Sequence, residues 1–181
     1  MIKQLARLRA HLQRGGVIAY PTESCYGLGC DPRNRRAVQK ILRLKHRAWH
    51  KGLILVAANL AQVRHFIQPL TDAQRATLNN YWPGPYTFLL PASKRAPRLV
   101  IGKHTSLALR VSAHPLVARL TQAFGPLVST SANVAGAKAL TRYAEVVRAF
   151  GAEAWVLPGR VGNRKTPSVI IDLPSGKKLR G

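Results

Sequence analysis

The chain has 181 residues, of which 46% are hydrophobic, and its 29 Lys and Arg against 6 Asp and Glu give a formal charge of +23. That length suits one compact domain over 1–181 with a substantial core, and no composition shift or Pro/Gly/Ser-rich linker divides it. Apolar runs stay near four to seven residues, well short of the roughly 20 that cross a bilayer, and no apolar stretch follows the charged start, so neither a membrane span nor a signal peptide is expected and the chain is expected to be cytoplasmic.

Leu5, Leu8 and Leu12 recur at helical spacing and stop at Gly15-Gly16, an amphipathic helix with a glycine stop. Val17-Ile18-Ala19-Tyr20, ended by Pro21, reads as a buried strand, and Val38, Ile41 and Leu42 mark a helix running to about Lys45. Leu53-Ile54-Leu55-Val56 is the next strand. From Asn59 to Asn80 a helical pattern breaks at Pro69 into two short helices, the second restarted by a capping box of Thr71 and Gln74. Trp82-Pro83-Gly84-Pro85 reads as a rigid turn before a strand over Tyr86-Thr87-Phe88-Leu89-Leu90. Then come a strand over Leu107-Ala108-Leu109-Arg110-Val111, a helix started by His114-Pro115, a short strand at Leu127-Val128 and a helix capped by Thr141 that runs to about Phe150. Trp155-Val156-Leu157 and Val169-Ile170-Ile171 are the last predicted strands. Strands and helices interleave without strict alternation, which predicts a single-domain α/β fold: a twisted, mixed open sheet with flanking helices, rather than a barrel or a Rossmann fold. No Gly-x-Gly-x-x-Gly and no P-loop is present, so any nucleotide is bound by another design.

The charge implies a polyanionic partner, because so many cations on a small domain must lie mostly at its surface and concentrate phosphate-bearing molecules there. The acids Glu23, Asp31, Asp72, Glu145, Glu153 and Asp172 are scattered singly, with no spacing that builds a carboxylate cage or an acid/base dyad. No protein-held metal is expected; a divalent ion would arrive on a substrate. Cys25 and Cys30 lack a second Cys/His pair and read as buried thiols. The histidines offer no nucleophile-base arrangement.

Three segments hold candidate chemistry. Lys45-His46-Arg47-Ala48-Trp49-His50-Lys51 lies where a helix ends and a strand begins, and Lys45 and Arg47 converge on one anion only if the chain has left the helix there. A solvated basic loop is the other reading. Ser129-Thr130-Ser131-Ala132-Asn133 follows a strand, and in extended chain Ser129, Ser131 and Asn133 share a face of two hydroxyls and a carboxamide; an ordinary polar turn has the same composition. Tyr20 to Gly29 places Thr22 and Glu23 at a strand end before glycines that admit close backbone approach, either as ligand contacts or as a turn with a capping carboxylate. Arg110, alone in an apolar strand, needs an anionic or carbonyl partner, whether a ligand or a core ion pair.

In order and spacing, Pro21-Thr22-Glu23 with Tyr26-Gly27-Leu28-Gly29, Lys45-x-Arg47 with Lys51-Gly52-Leu53-Ile54, Trp82-Pro83-Gly84-Pro85-Tyr86-Thr87, Leu109-Arg110-Val111, Ser129-Thr130-Ser131-Ala132-Asn133 and Thr166-Pro167-Ser168-Val169-Ile170 resemble the YrdC/TsaC family. The resemblance runs from about Arg9 to Leu179 and looks like the short bacterial form without an extra C-terminal domain. It implies a twisted α/β sheet with a positively charged cavity, and synthesis of threonylcarbamoyl-AMP and pyrophosphate from L-threonine, bicarbonate and ATP. The product serves threonylcarbamoyladenosine formation next to the tRNA anticodon. It further implies that Lys45, Arg47 and Lys51 hold the triphosphate, with Lys45 and Arg47 as the catalytic cations. Ser129, Ser131 and Asn133 would hold the nucleotide and Thr22 and Arg110 the threonine, with Mg2+ arriving with ATP. Implied macromolecular partners are tRNA or double-stranded RNA and the enzymes that transfer the threonylcarbamoyl group to tRNA. Two positions depart from the pattern: Ala48 stands where the family often has proline, and Leu55-Val56 where longer relatives carry a histidine. A non-catalytic RNA-binding protein acting in rRNA or tRNA maturation is the alternative from another class; it has no need of the Ser129-x-Ser131-x-Asn133 face beside Lys45-x-Arg47.

Overall fold

A computed structural model describes residues 2–180. Among these residues nine strands form one mixed sheet: β1 (Val17–Pro21), β2 (Tyr26–Gly29), β3 (Ile54–Ala57), β4 (Tyr86–Pro91), β5 (Ser106–Val111), β6 (Leu127–Ser131), β7 (Ala154–Val156), β8 (Val169–Asp172) and β9 (Lys178–Arg180). Their spatial order is β7-β1-β2-β6-β3-β5-β4-β8-β9. The pairs β1–β7, β3–β5 and β4–β8 are parallel and the rest antiparallel, as expected of a mixed sheet. Helices α1 (Ile2–Gln13), α2 (Arg35–Leu44), α3 (Asp72–Tyr81), α4 (Arg98–Ile101), α5 (Pro115–Phe124) and α6 (Tyr143–Phe150) lie around it.

Period-two alternation divides the core. Along β1, Val17 and Ala19 enter a large cluster with Ala37, Val38 and Ile41 of α2, while Ile18 and Tyr20 join Leu8 and Leu12 of α1 and Val117 and Leu120 of α5 in a smaller one. The second face continues across the sheet through Gly27, Ser131, Ser129, Ile54, Ala108 and Leu89, which the strand registers place in neighbouring positions. Here no helix covers it fully: Ile54, Leu89, Ala108 and Ile170 stay partly exposed while their neighbours Leu55, Leu90, Leu109 and Ile171 are buried. A half-covered sheet face is the floor of a cavity.

Most predicted elements are present, with physical reasons where they differ. The Asn59–Asn80 segment becomes a 3-10 turn at Leu60–Val63 and α3, whose Thr71/Gln74 capping box forms on both sides. Thr141 is not the cap of α6; Arg142 holds that position, and its N–H donates to the Glu145 carboxylate at 3.3 Å. Leu53 precedes β3, and β6 runs past Val128 to Ser131, because β2 on one side and β3 on the other keep its backbone paired. β2 has no alternation to betray it: Tyr26-Gly27-Leu28-Gly29 is a strand because glycine lets neighbours close in. A Cβ on Gly29 would lie 2.6 Å from the Val128 carbonyl oxygen and 2.7 Å from the Tyr20 ring. Cys30 is buried as expected, but Cys25 is only half-buried.

α2 ends in a left-handed cap. His46 takes φ 49°, its N–H donates to the Arg43 carbonyl and the Arg47 N–H to that of Leu42. The chain has therefore left the helix at Lys45, the condition for Lys45 and Arg47 to act on one site. Ala48 then sits at φ −61° and ψ 130°, the φ a proline ring imposes, so the geometry of the family proline is kept without it.

Two substitutions test this packing by chemical denaturation. Gly29→Ala overfills the β1–β2–β6 contact and is expected to lower stability by about 1–3 kcal/mol. Ala48→Pro restricts only the unfolded chain and is expected to raise it by about 0.4–1 kcal/mol.

Candidate active-site cavity

The open sheet face, the α2–β3 loop and the loops after β1, β6 and β7 enclose a cavity of about 840 Å3, within the range of about 300–1,000 Å3 usual for small-molecule sites. Its lining includes every predicted site residue: Thr22, Lys45, Arg47, Lys51, Arg110, Ser129, Ser131 and Asn133. These come from four separate parts of the chain.

Lys45 has a buried side chain whose ammonium makes three contacts, donating to the Ser131 carbonyl at 2.5 Å, the Asn133 carbonyl at 2.8 Å and Asn133 Oδ1 at 3.0 Å. An ammonium has three N–H groups, so all are engaged by the end of β6. Ser131 Oγ donates to the same Asn133 Oδ1 at 2.6 Å, and Asn133 Nδ2 to the Ala137 carbonyl at 2.5 Å. Burial, with the Arg47 charge adding to it, pushes Lys45 down to about 8. Lys45 is thus the clamp of the Ser131–Asn133 segment as well as a cavity cation.

Arg47 is half-buried and leans along its own loop, donating from Nε to the Gly52 carbonyl at 3.0 Å and from Nη2 to that of Lys51 at 3.3 Å. That loop is fixed by two glycines. Gly52 at φ 63° and Gly102 at φ 67° bring the 3-10 turn Trp49–Lys51 against α4 so tightly that a Cβ on Gly102 would lie 2.5 Å from the His50 carbonyl oxygen. Lys51 is exposed at the rim.

Arg110 has one carbonyl and one carboxylate beside it. Nε donates to the Gly84 carbonyl at 3.0 Å, presented by the Trp82-Pro83-Gly84-Pro85 turn, and Nη2 pairs with Glu23. Burial lowers its pKa and Glu23 works against that shift. Glu23 Oε1 also accepts from the Ser112 hydroxyl at 2.8 Å and the Ala113 N–H at 3.1 Å, immediately before the His114 N-cap of α5. Thr22 turns its hydroxyl to the Cys25 carbonyl at 2.8 Å, closing the turn between β1 and β2.

Several lining residues escaped sequence reasoning. Arg180 on β9 donates to the Ser168 carbonyl at 3.0 Å and the Ser168 hydroxyl at 3.1 Å. Burial, and then the charges of Arg110 and Arg47, lower its pKa, so the three guanidiniums share one field. Ser168 is held from behind the wall by a 2.8 Å hydrogen bond with the buried Thr87, and Lys138 and Lys165 add further charge to the lining. In a chain with so many cations, nothing local marks Arg180; only its register opposite Ile170 on the cavity face does. The site therefore offers a dense set of cations, hydroxyls at a strand end and an apolar floor, a setting for a phosphorylated substrate beside a small one.

The comparisons with known proteins agree with this geometry. The family model Sua5_yciO_yrdC, described as telomere recombination, matches residues 10–180. The chain is 54% identical over 175 residues to the threonylcarbamoyl-AMP synthase of Chromobacterium violaceum, covering 96% of this chain and 91% of that protein. It is 55% identical over 172 residues to that of Laribacter hongkongensis, covering 95% and 93%. Among solved structures, P. abyssi Sua5 complexed with L-threonine superposes with a TM-score of 0.86 at 27% identity over 94% of this chain, which spans about half of that longer protein, 51%. On the match over nearly its whole length and the identity to these bacterial relatives, the chain belongs to the YrdC/TsaC branch of the Sua5/YciO/YrdC family.

Proposed function

We propose that the chain is a threonylcarbamoyl-AMP synthase, making threonylcarbamoyl-AMP and pyrophosphate from L-threonine, bicarbonate and ATP for threonylcarbamoyladenosine formation in tRNA. The observation that carries it is the cavity itself: Arg47, Lys51, Lys138, Lys165 and Arg180 line one wall system with the hydroxyls of Ser129 and Ser131, in a chain about half identical to synthases over 90% or more of its length.

In this reading the threonine amine and bicarbonate condense to a carbamate with loss of water. A carbamate oxygen then attacks the α-phosphorus, and the bond to the bridging oxygen breaks to release pyrophosphate. Arg47 and Lys51 neutralise the triphosphate and the charge that grows on the leaving group, with Lys45 adding its field. Lys45 also acts on the nucleotide through the segment it clamps, presenting Ser131 and Asn133, with Ser129 one step back on the same face. Thr22 and Arg110 hold the threonine. No acid/base dyad is needed, because the task is positioning and charge neutralisation. The single lining carboxylate, Glu23, is engaged by Arg110, Ser112 and Ala113, and no group of three or more His, Cys, Asp or Glu among the described residues is set to hold a metal. A protein-held Mg2+ does not fit this donor set, and in our reading Mg2+ enters on the ATP phosphates.

The charge of +23 exceeds what an ATP site needs, and supports direct contact with tRNA or double-stranded RNA and proximity to the enzymes that transfer the group to tRNA. A reaction fed by ATP and completed on tRNA supports a cytoplasmic location. No helix among the described residues is long and apolar enough to cross a membrane. The non-catalytic RNA binder has only the charge in its favour.

Purified protein is expected to release pyrophosphate from ATP only when threonine and bicarbonate are both present, and release without either one would refute the assignment. Arg47→Ala, at a half-buried side chain, is expected to lower turnover at least about 100-fold with little change in melting temperature. Lys45 supplies a pH test. It is needed protonated, since loss of a proton leaves two N–H groups for three acceptors; its pKa is about 8, so kcat/KM for ATP should fall as pH rises through that value. Lys45→Met should be low throughout and lack this alkaline limb.

A further inference from the structure

A carboxylate in the wall of an anion-collecting cavity works against the cavity. Glu23 is nevertheless there, the one acidic side chain among the described lining residues. It is also fixed: Oε1 meets Arg110, Ser112 and Ala113, Oε2 is enclosed without a donor, and the Arg110 and Glu23 side chains are only 11% and 16% exposed. Arg110 is thereby set apart from the other cavity cations. Among the described residues, Arg47, Lys51, Lys138, Lys165 and Arg180 have no carboxylate within ion-pair distance.

A phosphate brought to Arg110 meets an attraction and a repulsion of similar size, because cation and anion are in contact. A zwitterion gains from both when its carboxylate lies on the guanidinium side and its ammonium on the carboxylate side. We infer that Glu23 is the specificity-determining counter-charge of the amino-acid subsite: it reserves Arg110 for a zwitterionic α-amino acid and turns phosphate groups toward the unmatched cations. This rests on the assignment of Arg110 to threonine proposed above. A tether alone does not account for the residue. Glutamine would accept equally well from Ser112 and Ala113; the charge serves the pairing with Arg110, and that paired charge is what separates a zwitterion from a phosphate at this point of the wall.

Glu23→Gln keeps the shape and the acceptor and removes the charge. The KM for L-threonine should rise about tenfold or more while that for ATP stays within about twofold. Tripolyphosphate, which in the wild type should compete with ATP alone, should compete with threonine as well in the variant. 2,3-Dihydroxybutyrate, which has a hydroxyl in place of the threonine ammonium, should inhibit the wild type far more weakly than expected from the KM of threonine and lose that handicap in Glu23→Gln. Ser112→Ala removes one tether, keeps the charge and should follow the wild type. The inference is overturned if Glu23→Gln preserves the wild-type discrimination, or if Ser112→Ala reproduces its effects. The wild type alone is a test should Glu23→Gln not fold: tripolyphosphate competing with threonine there also overturns it. If Arg110→Gln leaves the threonine KM unchanged, the assignment of the subsite fails, a result separate from any effect at Glu23.

Discussion

The site depends on one buried ammonium. Lys45 lies one residue past α2, and its three N–H groups go to three oxygens at the end of β6, 86 and 88 residues further along the chain. Burying a lysine is costly unless each donor is met, and here each is. The left-handed His46 cap brings Lys45 out of the helix at the required point, and the tandem glycine contact of Gly52 and Gly102 holds the loop beyond it. Helix end, loop and strand end are thus fixed by the same few bonds.

The second constraint is electrostatic. Packing several cations round one cavity raises the energy of the empty protein, and Arg180 registers it: after burial, the charges of Arg110 and Arg47 lower its pKa, whereas burial alone lowers that of Arg47. Each guanidinium is instead oriented by neutral carbonyls: Gly52 for Arg47, Gly84 for Arg110, Ser168 for Arg180. Carbonyls aim a cation without neutralising it, so the field remains available to a polyanion. Glu23 is the exception, and it affects one residue.

Much of this was legible in the sequence because it is local. Buried strands such as β1, β3 and β5 announce themselves as apolar runs, and Thr71 with Gln74 specifies the start of α3 by adjacent chemistry. Lys45-x-Arg47 and the Ser129-x-Ser131-x-Asn133 face were readable as helix-end and strand-end clusters. Features set by partners far along the chain were not. β2 is half glycine and β9 is an exposed basic tripeptide; each becomes a strand through the neighbour it pairs with. The Glu23–Arg110 pair joins residues on different elements, and the engagement of Lys45 by Ser131 and Asn133 carries no sequence mark at all. Arg180 is one cation among 29 until the register puts it on the cavity face.

The strand order has a consequence for how the protein is made. β6 lies between β2 and β3, yet it is synthesised about 70 residues after β3. Until residues 127–131 emerge, β2 and β3 each present a bare edge toward a gap, and Lys45 has none of its three acceptors. The nascent chain must keep these strand edges, and those of β1 and β4 that await β7 and β8, apart from other chains for that interval, a recognised aggregation hazard. Insertion of β6 then joins the two halves of the sheet and completes the clamp in one step, while β7, β8 and β9 still have to be added at the outer edges.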